Sequence, residues 1–187
     1  MDILLMGPPG AGKGTQGALL AEARGVPRFA TGDLLRDAVK RGTSLGLRAK
    51  EVMEGGHLVS DDIILGIVRD ELARPEADKG VIFDGVVRTI PQAEGVERLL
   101  GEKGRKMGAV LFFDVSDDEI MERLAKRRET ERRPDDDPEA LATRLAAYRK
   151  QTAPVLDWYE SRKVLHRIPA VGSVPEVAER VSRALGK

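Results

Sequence analysis

Gly7-Pro8-Pro9-Gly10-Ala11-Gly12-Lys13-Gly14-Thr15 puts four glycines, a lysine and a hydroxyl into nine residues near the start of the chain. Glycines let successive backbone N–H groups turn inward around an anion, and a helix beginning directly behind them adds a favourable dipole. In such a loop Gly10, Ala11, Gly12, Lys13, Gly14 and Thr15 would cradle the phosphates of a nucleotide. Lys13 would reach the β- and γ-phosphates, and Thr15 would stand near a magnesium ion. A plain glycine-rich turn is the alternative, but at average usage four fixed glycines and a proline arise at about one start in a million. Phosphate binding is the better account.

Arginine is the second chemical signal. Arg123 and Arg127 lie four apart and share one face of a helix opened by Ser116. Arg133 and Arg144 follow, and Arg36 and Arg88 stand earlier in the chain. Arginine offers a planar fork that binds phosphate oxygens in pairs, which lysine does not. Arg88 closes Asp84-Gly85-Val86-Val87-Arg88, directly after the apolar run Val81-Ile82-Phe83, and so sits at the strand end where open α/β sheets bind ligands. Blander readings exist for the neighbours. Thr31-Gly32-Asp33 alone reads as a helix start with Thr31 or Asp33 as cap. Thr89 with Gln92 reads as a capping box, and His57 as a surface residue. The charged run 126–137 reads as a solvated loop.

The elements that must hold these residues are legible in outline. Ile3-Leu4-Leu5-Met6, Val81-Ile82-Phe83, Ala109-Val110-Leu111-Phe112-Phe113 and Val164-Leu165 alternate with helical stretches, and Arg28-Phe29-Ala30 is a weaker fifth run. Apolar runs without polar alternation suit parallel strands covered on both faces. Ser116 with Glu119, Thr89 with Gln92, Ser173 with Glu176 and Asp137-Pro138 mark helix starts. Residues 30–59 and 126–136 fall outside the alternation and read as insertions.

Composition narrows the function. The chain has 187 residues, with 31 basic and 31 acidic side chains and a formal net charge of zero. A nucleic-acid binder usually shows a basic excess. No cysteine is present, and the two histidines, His57 and His166, are far apart, so no disulfide and no zinc site is expected. No run approaches the ~18 apolar residues of a membrane span. Met1-Asp2-Ile3-Leu4-Leu5-Met6 is too short and too acidic for a signal peptide, which makes the cytoplasm the expected address.

The phosphate loop departs from the common pattern, in which Ser or Thr follows Gly-Lys directly; here Gly14 intervenes. That variant resembles the loop of adenylate kinases and their nucleoside monophosphate kinase relatives, and the resemblance runs almost the whole length of the chain. It implies an α/β, P-loop NTPase-type core with a parallel sheet of about five strands, in a single kinase domain over 1–187. Residues 30–59 would be the AMP-binding insertion and 126–136 a short lid. The implied reaction is MgATP + AMP ⇌ 2 ADP, performed by a monomer with no nucleic-acid or membrane partner.

By the same resemblance Thr31 and Arg36 contact AMP, Arg36 on its phosphate. Leu58 and Val59 supply apolar contact for its adenine, with a backbone contact at most from His57. Gly85, Val86, Val87 and Arg88 line the AMP side, Arg88 also meeting the transferred group, and Gln92 pairs its amide with the base edge. Arg127 contacts ATP, and Gly172 gives a backbone contact to the ATP adenine. Arg133 and Arg144 surround the acceptor and transferred phosphates, and Arg123 stabilises the transition state. Lys13, Arg88, Arg123, Arg133 and Arg144 form the implied catalytic set. Magnesium would come with ATP, held through waters near Thr15, Asp33 and Asp84, and no zinc is implied.

Thr31 and Gln92 are the choices typical of AMP-specific members, which sets aside a UMP or CMP kinase of the same fold. A non-catalytic nucleotide-binding module would have lost Lys13 or the lid arginines, and all are present. Two departures stand out. His57 replaces a usual lysine, and Val86-Val87 replaces Phe-Pro, which predicts a loop that presents Arg88 with less preorganisation.

Overall fold

Ile3, Leu4, Leu5 and Met6 are almost completely buried because strand β1 (Asp2–Met6) runs through the middle of the sheet. The computed structural model describes residues 1–131 and 137–186. Its five strands are all parallel and lie in the order β2-β3-β1-β4-β5, with β2 at Arg28–Ala30, β3 at Ile82–Asp84, β4 at Met107–Asp114 and β5 at Leu165–Pro169. Side chains alternate between the two faces with the strand period. Leu4, Met6, Phe83 and Val110 enter one core; Ile3, Leu5, Ile82 and Leu111 enter the other. Both faces are apolar, hence the unbroken apolar runs.

Each face has its own helices. The Ile3–Leu5 face carries α1 (Lys13–Arg24) and α9 (Val174–Ala184), packed through Leu20, Val177 and Val181. The opposite face carries α4 (Asp61–Leu72), α5 (Ile90–Gly101) and α8 (Ala153–Glu160), through Val68, Val96 and Val155. Helices α2 (Thr31–Lys40) and α3 (Ser44–Glu54) follow β2, and Thr43 caps α3 by accepting the Gly46 N–H at 3.1 Å. Helix α6 (Asp117–Glu131) continues through the first six residues of the charged run, where a loop is expected from sequence, because Lys, Arg and Glu are good helix formers that need no core to face; α7 (Pro138–Ala147) follows the run. Among the described residues no helix is long and apolar enough to cross a membrane.

Three further local expectations need correction. The edge strand β5 runs on through His166, Arg167, Ile168 and Pro169. Arg167 and Pro169 are exposed and His166 is half-buried, so the apolar run breaks off after Val164-Leu165. Helix α2 is capped at Ala30 with no side-chain cap, so neither Thr31 nor Asp33 serves that purpose. At α5 the capping box is half formed. Thr89 Oγ1 accepts the Gln92 N–H at 3.2 Å, but Gln92 Oε1 accepts from Arg88 N instead of returning to Thr89.

Between α7 and α8 the helix widens into a π turn over Tyr148–Thr152. Pro154 has no N–H to give the carbonyl four residues back, so the ladder must slip there.

Candidate functional site

At the C-terminal end of β1 the chain enters the phosphate loop. Gly10 and Gly12 have φ of 83° and 87°, a region that glycine alone occupies without strain, and Gly12 is the N-cap of α1. Positive φ at these two positions is the backbone that a loop closing around an anion needs, and Ala11 N–H closes the turn on Pro8 O at 3.2 Å. Lys13 folds back over it, its Nζ donating to Gly7 O at 2.7 Å and Pro8 O at 2.8 Å. Burial pushes the Lys13 ammonium down to about 8. Asp84 opposes that shift, while Arg88, Arg144 and Arg127 add to it.

The loop forms one wall of a cleft of about 750 Å³. Gly10 to Thr15, Arg123, Arg127 and Gly172 line it, as do Asp33, Asp84 and Arg28. A second pocket is lined by Thr31, His57, Leu58, Val59, Val86 and Gln92. The two share Gly32, Arg36, Gly85, Arg88 and Arg144. Three guanidiniums thus stand at the seam between the loop's cleft and the pocket beside it. The cleft is lined by eight cationic side chains against four carboxylates, although the whole chain is neutral. Val87 lies to one side, beside Lys13, Tyr148 and Thr152.

The structure brings together every site residue expected from sequence except Arg133, which lies outside the described residues. His57 lines the pocket with an exposed side chain, and its backbone N–H is spent on Val52 O at 2.9 Å. Arg123 is held by Glu119 Oε1 at 2.7 Å, and donates to Ala170 O at 2.7 Å, two residues before Gly172. Gln16 donates to Val174 O at 2.9 Å, tying α1 to the start of α9 just past Gly172.

The Val86-Val87 loop is not loosely set. Both valines are 2% exposed and belong to the core. The Arg88 N–H donates to Gln92 Oε1 at 2.7 Å, its C=O accepts from Thr152 Oγ1 at 3.0 Å, and its Nε donates to Gly85 O at 3.1 Å. Hydrogen bonds hold the arginine where a proline had been expected to.

Sequence reasoning missed Arg28, Asp61 and Thr152. Arg28 bridges the carboxylates, with Nη1 on Asp84 Oδ2 at 2.7 Å and Nη2 on Asp33 Oδ2 at 2.8 Å. Burial alone would raise the Asp33 carboxyl, but hydrogen bonds and charge from Arg36 and Arg28 hold it below its ordinary value. Its signal was a cation in a short apolar run three residues before Thr31. Asp61 Oδ1 accepts from Gln92 Nε2 at 2.8 Å and Thr89 Oγ1 at 3.1 Å, from the first turn of α4. Thr152 gave no signal.

Comparison with known proteins agrees with this geometry. The adenylate kinase family model matches residues 5–164. The chain is 48% identical to the adenylate kinase of Gemmatimonas aurantiaca, with 99% of each chain covered. It is 47% identical to that of Xanthomonas euvesicatoria over the full length of both, and 44% identical to that of Caulobacter vibrioides over 99% of this chain and 97% of the other. A phosphate loop at the end of β1, a pocket beside it and whole-length identity to these phosphotransferases lead to one conclusion: this chain belongs to the adenylate kinase family.

Proposed function

We propose that this protein catalyses MgATP + AMP ⇌ 2 ADP, with ATP in the large cleft and AMP in the pocket beside it. The observation that carries the proposal is the seam, where Arg36, Arg88 and Arg144 line both cavities at once. Two nucleotides bring about six negative charges, of which magnesium offsets about two. The remaining four match the excess of four cations over carboxylates in the cleft lining.

The acceptor phosphate oxygen is already an oxyanion and needs no general base. It attacks the γ-phosphorus in line as the bond to the β-bridging oxygen breaks, and the released electron pair stays on ADP. Lys13 exchanges its two loop carbonyls for phosphate oxygens. Arg88, Arg123 and Arg144, with Arg133, stabilise the charge that spreads over the transferred group. Thr15, Asp33 and Asp84 face the same cleft with hard oxygen donors, which suits magnesium arriving on ATP and keeping several waters. The metal's contribution when bound is to offset charge on the β- and γ-phosphate oxygens.

Base choice rests on Gln92, which is 1% exposed. Its amide orientation is fixed from both sides, because the Asp61 carboxylate only accepts and the Arg88 N–H only donates. One N–H and one lone pair of known direction remain for a base. Adenine presents an acceptor ring nitrogen beside an amino donor, which is complementary to such a pair. Guanine and uracil present the reverse. Cytosine matches in pattern but fills less of the pocket.

Residues 30–59 are read as the AMP-binding insertion and 126–136 as a short lid whose closure would expel water from the transfer. The protein is read as a cytoplasmic monomer. A coupled assay of ADP formation across AMP, GMP, CMP and UMP tests the whole reading. AMP should be preferred by at least ~10²-fold in kcat/KM, since buried polar groups left unpaired enforce rejection. Comparable rates with CMP or UMP would overturn it.

A further inference from the structure

Arg28 rises from the edge strand β2 and ends between two carboxylates belonging to different elements. Asp84 closes β3, and Asp33 lies in the first turn of α2. Asp33 also accepts from Arg36 Nη2, through Oδ1 at 2.5 Å, while its Oδ2 is taken by Arg28. A continuous chain of charge-assisted hydrogen bonds therefore runs Asp84–Arg28–Asp33–Arg36. It begins one residue before the loop that carries Arg88 and ends on a guanidinium at the seam between the two cavities.

The route is built into the backbone. Where the stem of Arg28 crosses α1 the residue is Gly17, and a Cβ there would lie 3.1 Å from Arg28 Cδ and 2.7 Å from Leu5 Cδ1. A side chain at position 17 would push Arg28 aside.

The arrangement has a consequence for Arg36. A lone aspartate beside an arginine can turn both oxygens to the fork and compete with any phosphate for it. Arg28 commits one Asp33 oxygen elsewhere and sets the rotamer from which the other holds Arg36. We propose that Arg28 is a positioning residue of the acceptor site, acting through Asp33 to present Arg36 to the phosphate of a nucleoside monophosphate. The inference rests on the acceptor-pocket assignment above, and its test separates the two.

The test is calorimetric titration with AMP alone, and separately with MgATP, on wild type, Arg28→Gln, Arg28→Lys, Asp33→Asn, Arg28→Gln with Asp33→Asn, and Arg36→Ala. Arg28→Gln should weaken AMP on the order of tenfold, the scale of one hydrogen bond to a charged group. MgATP should weaken clearly less than AMP, because Arg28 lines the large cleft but spends its guanidinium on Asp33 and Asp84. Arg28→Lys should fall between wild type and Arg28→Gln, because an ammonium is a point charge and not a fork. The double variant should lose less than the product of the single losses, since both residues act along one chain. If AMP binds folded Arg28→Gln as it binds wild type while Arg36→Ala loses it, the positioning role is overturned and the pocket stands. If Arg36→Ala also binds AMP normally, the pocket assignment falls and the positioning role with it. Equal weakening of AMP and MgATP would mean a general loss of field and would overturn the selective role. Should Arg28→Gln not fold, wild-type AMP affinity in Arg28→Lys is the overturning result.

Discussion

The Lys13 ammonium, with its pKa drawn down from 10.5 to about 8, titrates near the working range of most enzymes. Free-enzyme titrations appear in kcat/KM, and here the charged form binds polyphosphate. The expected profile of kcat/KM for ATP is flat at neutral pH and falls above about pH 8. In kcat the fall should move to higher pH, because bound phosphates favour the ammonium. Lys13→Met should lack the limb and lose at least ~10²-fold in kcat, the scale of one transition-state donor. The sign for stability is fixed too. Native Lys13 releases its proton below the unfolded value, so between about 8 and 10.5 the unfolded chain binds more protons and stability from this group rises with pH. Melting curves of wild type against Lys13→Met across that window should show wild type gaining. Asp61 gives a second prediction. Asp61→Asn can donate as well as accept, which removes one of the two groups that fix the Gln92 amide and leaves the Arg88 N–H alone to hold it. The preference for AMP over GMP, two bases of similar size, should then drop by roughly tenfold. The phosphate loop was legible because its chemistry is contiguous in sequence. The bridge of Arg28, Asp33 and Asp84 was not, because it converges from three elements.

At the scale of elements, the Val86-Val87 loop shows how a missing device is replaced. A proline narrows a loop through its own ring. Here Gln92 from α5 and Thr152 from the π turn hold the Arg88 backbone from opposite sides. Val87→Pro should therefore leave the AMP KM within about twofold of wild type. Val86→Phe enters a filled core and should cost ~1–3 kcal/mol by overpacking. Denaturant melts and steady-state kinetics check both, and a clear fall in AMP KM in Val87→Pro would show that the loop was loose after all. Sequence marked the starts of α6, α7 and α9 correctly. Ser116 accepts the Glu119 N–H at 3.3 Å, Asp137 accepts the Glu139 N–H at 3.1 Å, and Glu176 accepts the Ser173 N–H at 2.7 Å. The π turn was hidden, because Thr-Ala-Pro inside a helical pattern reads equally well as a kink or an end.

At the scale of the whole molecule, stability and catalysis rest on different ion pairs. Asp2, 2% exposed, is clasped by Arg105, which also donates to Ala77 O at 2.8 Å. This pair fastens the N-terminal end of the first strand, opposite the C-terminal end that runs into the phosphate loop. Removing one partner of a buried pair leaves an uncompensated charge, so Arg105→Met should cost about 3–5 kcal/mol of stability. Its kcat at a temperature where it stays folded should remain near wild type. The pair links the two ends of a long sequence separation, and nothing local in the sequence marked it. The sheet order was likewise readable only as a class, since apolar runs say that strands exist and not who neighbours whom.

The chain is neutral, yet the cleft lining holds an excess of four positive charges, so everything outside it carries a balancing excess of four negative ones. In electrical terms the protein is a dipole with no monopole. It feels no net pull in a uniform field, yet an anion that comes near the mouth of the cleft meets positive charge. Because ions in solution extinguish such a field within ~8 Å at physiological salt, the guidance acts over the last few molecular diameters of water. A nucleotide is thus oriented at the threshold of the cleft, and dissolved salt sets how wide that threshold is.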